Sequence, residues 1–134
     1  MIGIYTDGSC IGNPGPGGWG VVILHDGKEI KLAGGEKDTT NNRMEMMAMI
    51  KALEWLHAHK LTDSKITIYS DSNLLVQSLT KGWKRKANTD LWAQLDKLRG
   101  WLDIKWLWVK AHATNKYNNL VDELALKEAI KAKY

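Results

Sequence analysis

The dipeptide Asp26-Gly27 constrains this chain more than any other short stretch. It stands between WGVVILH (residues 19 to 25), rich in β-branched and aromatic side chains, and KEIKLAG (residues 28 to 34). Asp-Gly readily adopts the left-handed backbone of a tight hairpin turn, so the two stretches are expected to pair as antiparallel strands. IGIYT (residues 2 to 6) precedes them as a further strand, ended by a turn-rich segment from Asp7 to Gly18. Antiparallel strands therefore open the chain.

Beyond them the hydrophobic period changes. From about Asn42 to His59, the residues Met46, Met49, Ile50, Leu53 and Leu56 recur at three- and four-residue steps, which predicts a helix with one apolar face. KITIY (65 to 69) reads as a buried strand, followed by a short helix over about Ser72 to Leu79. A further helix is expected over residues 88 to 100, stopped at Gly100, then a strand IKWLWV (104 to 109) and a last helix from about Asn119. Trp106 and Trp108 in that strand, and Trp55 and Trp92 in helices, are expected to pack in the core. The order β-β-β-α-β-α-α-β-α predicts an α/β fold. Its mixed five-stranded sheet has three antiparallel front strands and two parallel strands, flanked by helices. No repeat or linker interrupts the 134 residues, so one domain over residues 1 to 134 is expected.

Hydrophobic residues at 44% and charged residues at 25% exclude a disordered chain. The net charge of +4 leans toward polyanionic partners. Cys10 is the single cysteine, which leaves no disulfide partner within the chain and no cysteine-built zinc site. With no signal-like start and no long apolar run, a cytoplasmic protein without a membrane partner, acting as a monomer, is expected.

Topology locates the chemistry. If the first strand runs up, right-handed crossovers return the strands at 65 to 69 and 104 to 109 parallel to it. Asp7 then lies at the upper end of the first strand and Asp71 just past the upper end of the fourth. Glu45 and Asp122 fall in the first turns of helices that begin at the same edge. Open α/β sheets place their sites at the carboxyl ends of the strands. Carboxylates gathered there repel one another and resist ionising together. A divalent cation removes the conflict, and all-oxygen ligands suit Mg2+ or Mn2+. Taken singly, Glu45 and Asp122 also fit capping boxes begun by Asn42 and Asn119, and Asp71 fits a cap for the helix near Ser72. Asp7 fits no such role, and Glu45 shares a helix face with Met49 and Ala52, so it is expected to point inward.

Five motifs in order resemble ribonuclease H of type one across nearly the whole chain: YTDGSCIGNPGPGGWG, TTNNRME (39 to 45), YSDSNLLVQ (69 to 77), IKWLWVKAH (104 to 112) and VDELA (121 to 125). The resemblance implies an endonuclease that hydrolyses the RNA strand of an RNA–DNA hybrid with two metal ions, leaving 5′-phosphate and 3′-hydroxyl ends. On the matching positions, Asp7 bridges the ions, Asp122 holds the water-activating ion, and Glu45 and Asp71 hold the ion near the leaving group. His112 matches the histidine that assists proton movement or product release. Cys10, Asn13, Asn41, Asn42, Asn73 and Gln77 match residues that sense the hybrid near its scissile ribose. Thr40 and Arg43 match positions that either contact a backbone phosphate or fix the start of the helix.

Trp83 and Lys84 stand in KGWKRK (81 to 86), where basic and aromatic residues interleave as in a nucleic-acid groove or a solvated, charged loop. Here the sequence departs from the longer bacterial pattern, whose additional basic helix grips the hybrid, and Ala111 replaces a frequent glycine. With the first strand at residues 2 to 6, no amino-terminal hybrid-binding module is expected. Gly15, Gly17 and Gly20 spell G-x-G-x-x-G, but the residues after them read as a strand, whereas a dinucleotide site needs a helix there. A protein kinase is excluded by the missing H-R-D and D-F-G motifs. A hybrid-binding module without cleavage is opposed by retention of all the acids; a DNA-junction resolvase with the same metal chemistry stays open on charge alone.

Overall fold

The protein is described by a computed structural model covering residues 1 to 82, 87 to 100, 102 to 110 and 115 to 134. Strands β1 (Ile2–Cys10), β2 (Gly15–His25) and β3 (Lys28–Thr39) come first, then helix α1 (Asn41–Ala58). Strand β4 (Ile66–Ser70), helices α2 (Asn73–Lys81) and α3 (Thr89–Arg99), strand β5 (Ile104–Trp108) and helix α4 (Lys116–Lys133) complete the order. The five strands lie as β3-β2-β1-β4-β5. β1 pairs antiparallel with β2, β2 antiparallel with β3, and β1, β4 and β5 run parallel. The expected architecture is the one found.

The sheet separates two apolar layers. Ile2 and Ile4 of β1, Ile66 and Ile68 of β4, and Trp106 of β5 pack with Met46, Met49, Ile50 and Leu53 of α1 and with buried residues of α2 and α3. On the other face Tyr5 and Val22 pack against Val121 of α4. Alternation along β1 and β4 assigns these faces, since successive side chains of a strand point to opposite sides.

Several boundaries differ from the sequence reading, each for a local reason. The turn after β1 is short: β1 runs on to Cys10 and pairs with Gly17, so most of the glycine stretch is strand. α4 begins at Lys116 because Asn115 caps it, its side-chain oxygen accepting from the backbone N–H groups of Tyr117 and Asn118 at 3.0 Å each. Asp122 therefore lies in the second turn. α1 likewise starts one residue early, capped by Thr40, whose hydroxyl accepts from the Arg43 N–H at 3.2 Å, and Glu45 too belongs to the second turn. Trp106 is buried at 9% exposure, but Trp108 is 50% exposed and is not core. It sits at the last paired position of β5, an edge strand, opposite Ser70.

Candidate active site

Parallel register brings the first two acids together. Thr6 pairs with Ser70 as the last β1–β4 couple, so Asp7 and Asp71 both follow directly on neighbouring strands. They point to the same face as the stacked rings of Tyr5 and Tyr69, whose centroids lie 4.4 Å apart.

Two helices are then drawn close by glycines. A Cβ at Gly8 would collide with the backbone of Met44 and Glu45, so only a glycine lets the start of α1 sit against β1. Gly20 pairs with Asp7 across the β1–β2 ladder, and a Cβ there would lie 2.9 Å from the Val121 carbonyl oxygen. α4 thus rests on the β2 backbone next to Asp7, with Asp122 one residue on. These glycines serve helix packing, which the G-x-G-x-x-G pattern concealed.

Asp7, Glu45 and Asp71 each offer a carboxylate oxygen within 4.8 Å of the others. Asp7 is buried at 3% exposure, and Glu45 and Asp71 are half-buried. Burial first, then the charge of Asp71, pushes the Asp7 carboxyl up to about 9; the charges of Glu45 and Asp122 add to this, and a 2.8 Å hydrogen bond from the Gly8 N–H opposes it. Burial also pushes Glu45 up to about 7, with the charge of Asp71 adding and a hydrogen bond with the Ser72 side chain opposing. Asp122 lies outside the close group of three but near enough for its charge to act on Asp7.

The capping alternatives for the acids do not hold. Thr40, Ser72 and Asn115 cap the three helices, and Ser72 does so by accepting from the Leu75 N–H at 3.3 Å. Glu45, Asp71 and Asp122 are left free of that role. Ser72 is the residue the sequence reading missed: its hydroxyl caps α2 and also reaches Glu45. A serine directly before a helical stretch was the available signal.

The remaining candidates divide. Asn13 accepts from the Asn41 N–H at 3.1 Å, which ties the β1–β2 turn to the start of α1, with Asn42 half-buried beside it. The Cys10 thiol lies 3.4 Å from the carbonyl oxygens of both Gly15 and Thr39, and burial pushes its pKa up. Asn73 accepts from the Gln77 amide at 3.3 Å on α2. Arg43 donates to Asn88 at 3.2 Å and, as a fork, to Asp90 at 3.0 and 2.8 Å, which joins α1 to the start of α3. His112, Trp83 and Lys84 lie outside the described residues.

The donor set fits a divalent cation. Of three carboxylates this close, Asp7 and Glu45 are pushed toward keeping their protons, and hard oxygen ligands suit a hard cation that neutralises the group. Fold and site together define a class: α/β proteins that hold divalent cations on acidic residues at the carboxyl ends of their strands. The chain matches the RNase H family over residues 1 to 130 and belongs to it. It is 46% identical to a ribonuclease H of Chromobacterium violaceum over 140 residues, covering 94% of this chain and 92% of that one. It is also 46% identical to a ribonuclease H of Legionella pneumophila, covering 92% and 93%. The crystal structure of LC11-RNase H1 in complex with RNA/DNA hybrid superposes with a TM-score of 0.86 at 31% identity, covering all of both chains.

Proposed function

We propose that this protein is an endonuclease that hydrolyses the RNA strand of RNA–DNA hybrids, leaving 5′-phosphate and 3′-hydroxyl ends. The observation that carries it is the group formed by Asp7, Glu45 and Asp71, with Asp122 close by, in a chain of the RNase H family. Mg2+ is the proposed cofactor, in two positions with substrate bound, and Mn2+ a substitute. Such ions, when bound, turn water into a nucleophile and stabilise charge on the attacking and leaving oxygens of an in-line displacement.

The chain's own residues do the rest. Asp7, from its buried place between Gly8 and the other acids, would help hold both ions. Glu45, oriented by Ser72, and Asp71 would help hold the ion that stabilises the leaving group, and Asp122 would help hold the ion that activates water. His112 assists proton movement or product release. Cys10, Asn13, Asn41, Asn42, Asn73 and Gln77 line the approach where the ribose 2′-hydroxyl marks RNA. Thr40 fixes the start of α1, and Arg43 holds α3 to it. Trp83 and Lys84 add aromatic and cationic contact to the strand backbone. The domain works as one unit, as a monomer, in the cytoplasm; among the described residues no helix is long and apolar enough to cross a membrane.

The test is a panel of hybrid, duplex DNA and duplex RNA, each with Mg2+ or with EDTA. Metal-dependent cutting of the RNA in the hybrid alone is expected. Hybrid binding without cutting, or equal cutting of duplex DNA, overturns the proposal.

A further inference from the structure

Trp108 stands out once the site is assembled. It is half exposed at the carboxyl end of β5, yet its indole N–H donates to the carbonyl oxygen of Asp71 at 3.1 Å. Asp71 occupies the bend between the end of β4 and the Ser72 cap of α2. The first α2 bond runs from the Val76 N–H to the Ser72 carbonyl, so the Asp71 carbonyl lies outside the helix ladder. The residues on either side are fixed as well. The Ser70 carbonyl accepts from the Val109 N–H at 2.9 Å, and the Ser70 hydroxyl accepts from the Ser72 N–H at 3.1 Å.

We propose that Trp108 is a positioning residue of the metal site: its indole N–H holds the Asp71 backbone so that the Asp71 carboxylate stays in the group with Asp7 and Glu45. Carboxylate oxygens of Asp7, Glu45 and Asp71 within 4.8 Å of one another repel, and Asp71 stands in the bend between β4 and α2, outside both ladders, where that repulsion acts on the backbone. A tether from the neighbouring strand opposes that motion. Core burial does not explain the residue, because half of it meets solvent. Its partner Trp106, two residues earlier on the same face, is buried and is the packing tryptophan of β5.

The proposal rests on the acids being metal ligands, and the experiment separates the two ideas. Mn2+ binding to metal-free protein is titrated by calorimetry for the unsubstituted chain, Trp108→Phe, Trp108→Leu, Asp7→Asn, and a chain carrying benzothienylalanine at position 108, which keeps the bicyclic shape without a donor. Hybrid affinity in EDTA is measured beside it by fluorescence anisotropy. Loss of the single hydrogen bond is expected to weaken Mn2+ binding roughly three- to tenfold in the Phe and benzothienylalanine proteins. Hybrid affinity in EDTA is expected to stay within about twofold for these two, a difference below about 0.4 kcal/mol. Unchanged Mn2+ affinity in the benzothienylalanine protein overturns the proposal. So does a loss of hybrid affinity confined to Trp108→Leu with metal binding intact, which marks a stacking surface instead. Failure of the unsubstituted chain to bind Mn2+ overturns the metal-site reading itself.

Discussion

Replacing Asp7 by asparagine is expected to stabilise the metal-free protein while abolishing its activity. The unfolded chain releases the Asp7 proton near 3.8, whereas the native site holds it up to about 9. Between those values the native state binds the extra proton, so metal-free stability is full below about pH 4 and is lost progressively until about pH 9. At pH 7 roughly three pH units of that window have passed, at about 1.4 kcal/mol each, an upper bound of about 4 kcal/mol. Sharing of the proton with Glu45 and Asp71 and relaxation of the site reduce the gain, so Asp7→Asn should stabilise by about 2–4 kcal/mol at pH 7 in EDTA. Asparagine keeps the shape and the acceptor for the Gly8 N–H. At roughly 3 °C per kcal/mol for a chain of this size, Tm should rise by about 6–12 °C. Urea unfolding of both proteins at pH 5.5, 7.0 and 8.5 checks the sign, with the gap widening as pH rises. A substituted protein no more stable at pH 8.5 than the original, or a metal-free stability that climbs with pH, refutes the reasoning.

Other consequences follow from the same contacts. Because ligands must be deprotonated to bind, Mn2+ affinity should rise with pH from about 6 to 9 as Glu45 and then Asp7 give up protons; calorimetry in buffers of different ionisation enthalpy should show proton release near pH 7. Gly18→Ala sets a methyl group against the backbone of Ala125 and Ala129, so α4 must shift; about 1–3 kcal/mol of destabilisation is expected by urea titration, with lower activity from a displaced Asp122. The raised Cys10 pKa leaves less thiolate at pH 7.5, and iodoacetamide should modify it several-fold more slowly than a free cysteine, followed by mass spectrometry.

The sheet and the acidic edge were legible because their signals are local. Asp26-Gly27 sets the hairpin, the spacing of Met46, Met49, Ile50 and Leu53 sets α1, and a parallel return of β4 puts Asp71 beside Asp7. The caps were harder to assign because Thr40, Ser72 and Asn115 compete with nearby Asn and Asp residues of similar propensity, and tertiary packing chooses between them. The glycines misled for a related reason. A residue chosen because a helix seven elements later rests on it carries no mark of that helix in its own neighbourhood. Trp108 was read as core because alternation fixes the face of a strand residue but not whether a helix reaches far enough to cover it.

The account's central claim is that the carboxylate group carries a metal-dependent cleavage that falls on ribonucleotides. It is tested most directly with one duplex whose labelled strand is DNA except for a central run of four ribonucleotides, paired with a DNA complement. With Mg2+, cuts confined to the ribonucleotide run and bearing 5′-phosphate ends are expected, and none with EDTA or with Asp7→Asn. Cuts in the flanking DNA, or cutting that survives in Asp7→Asn, would contradict it.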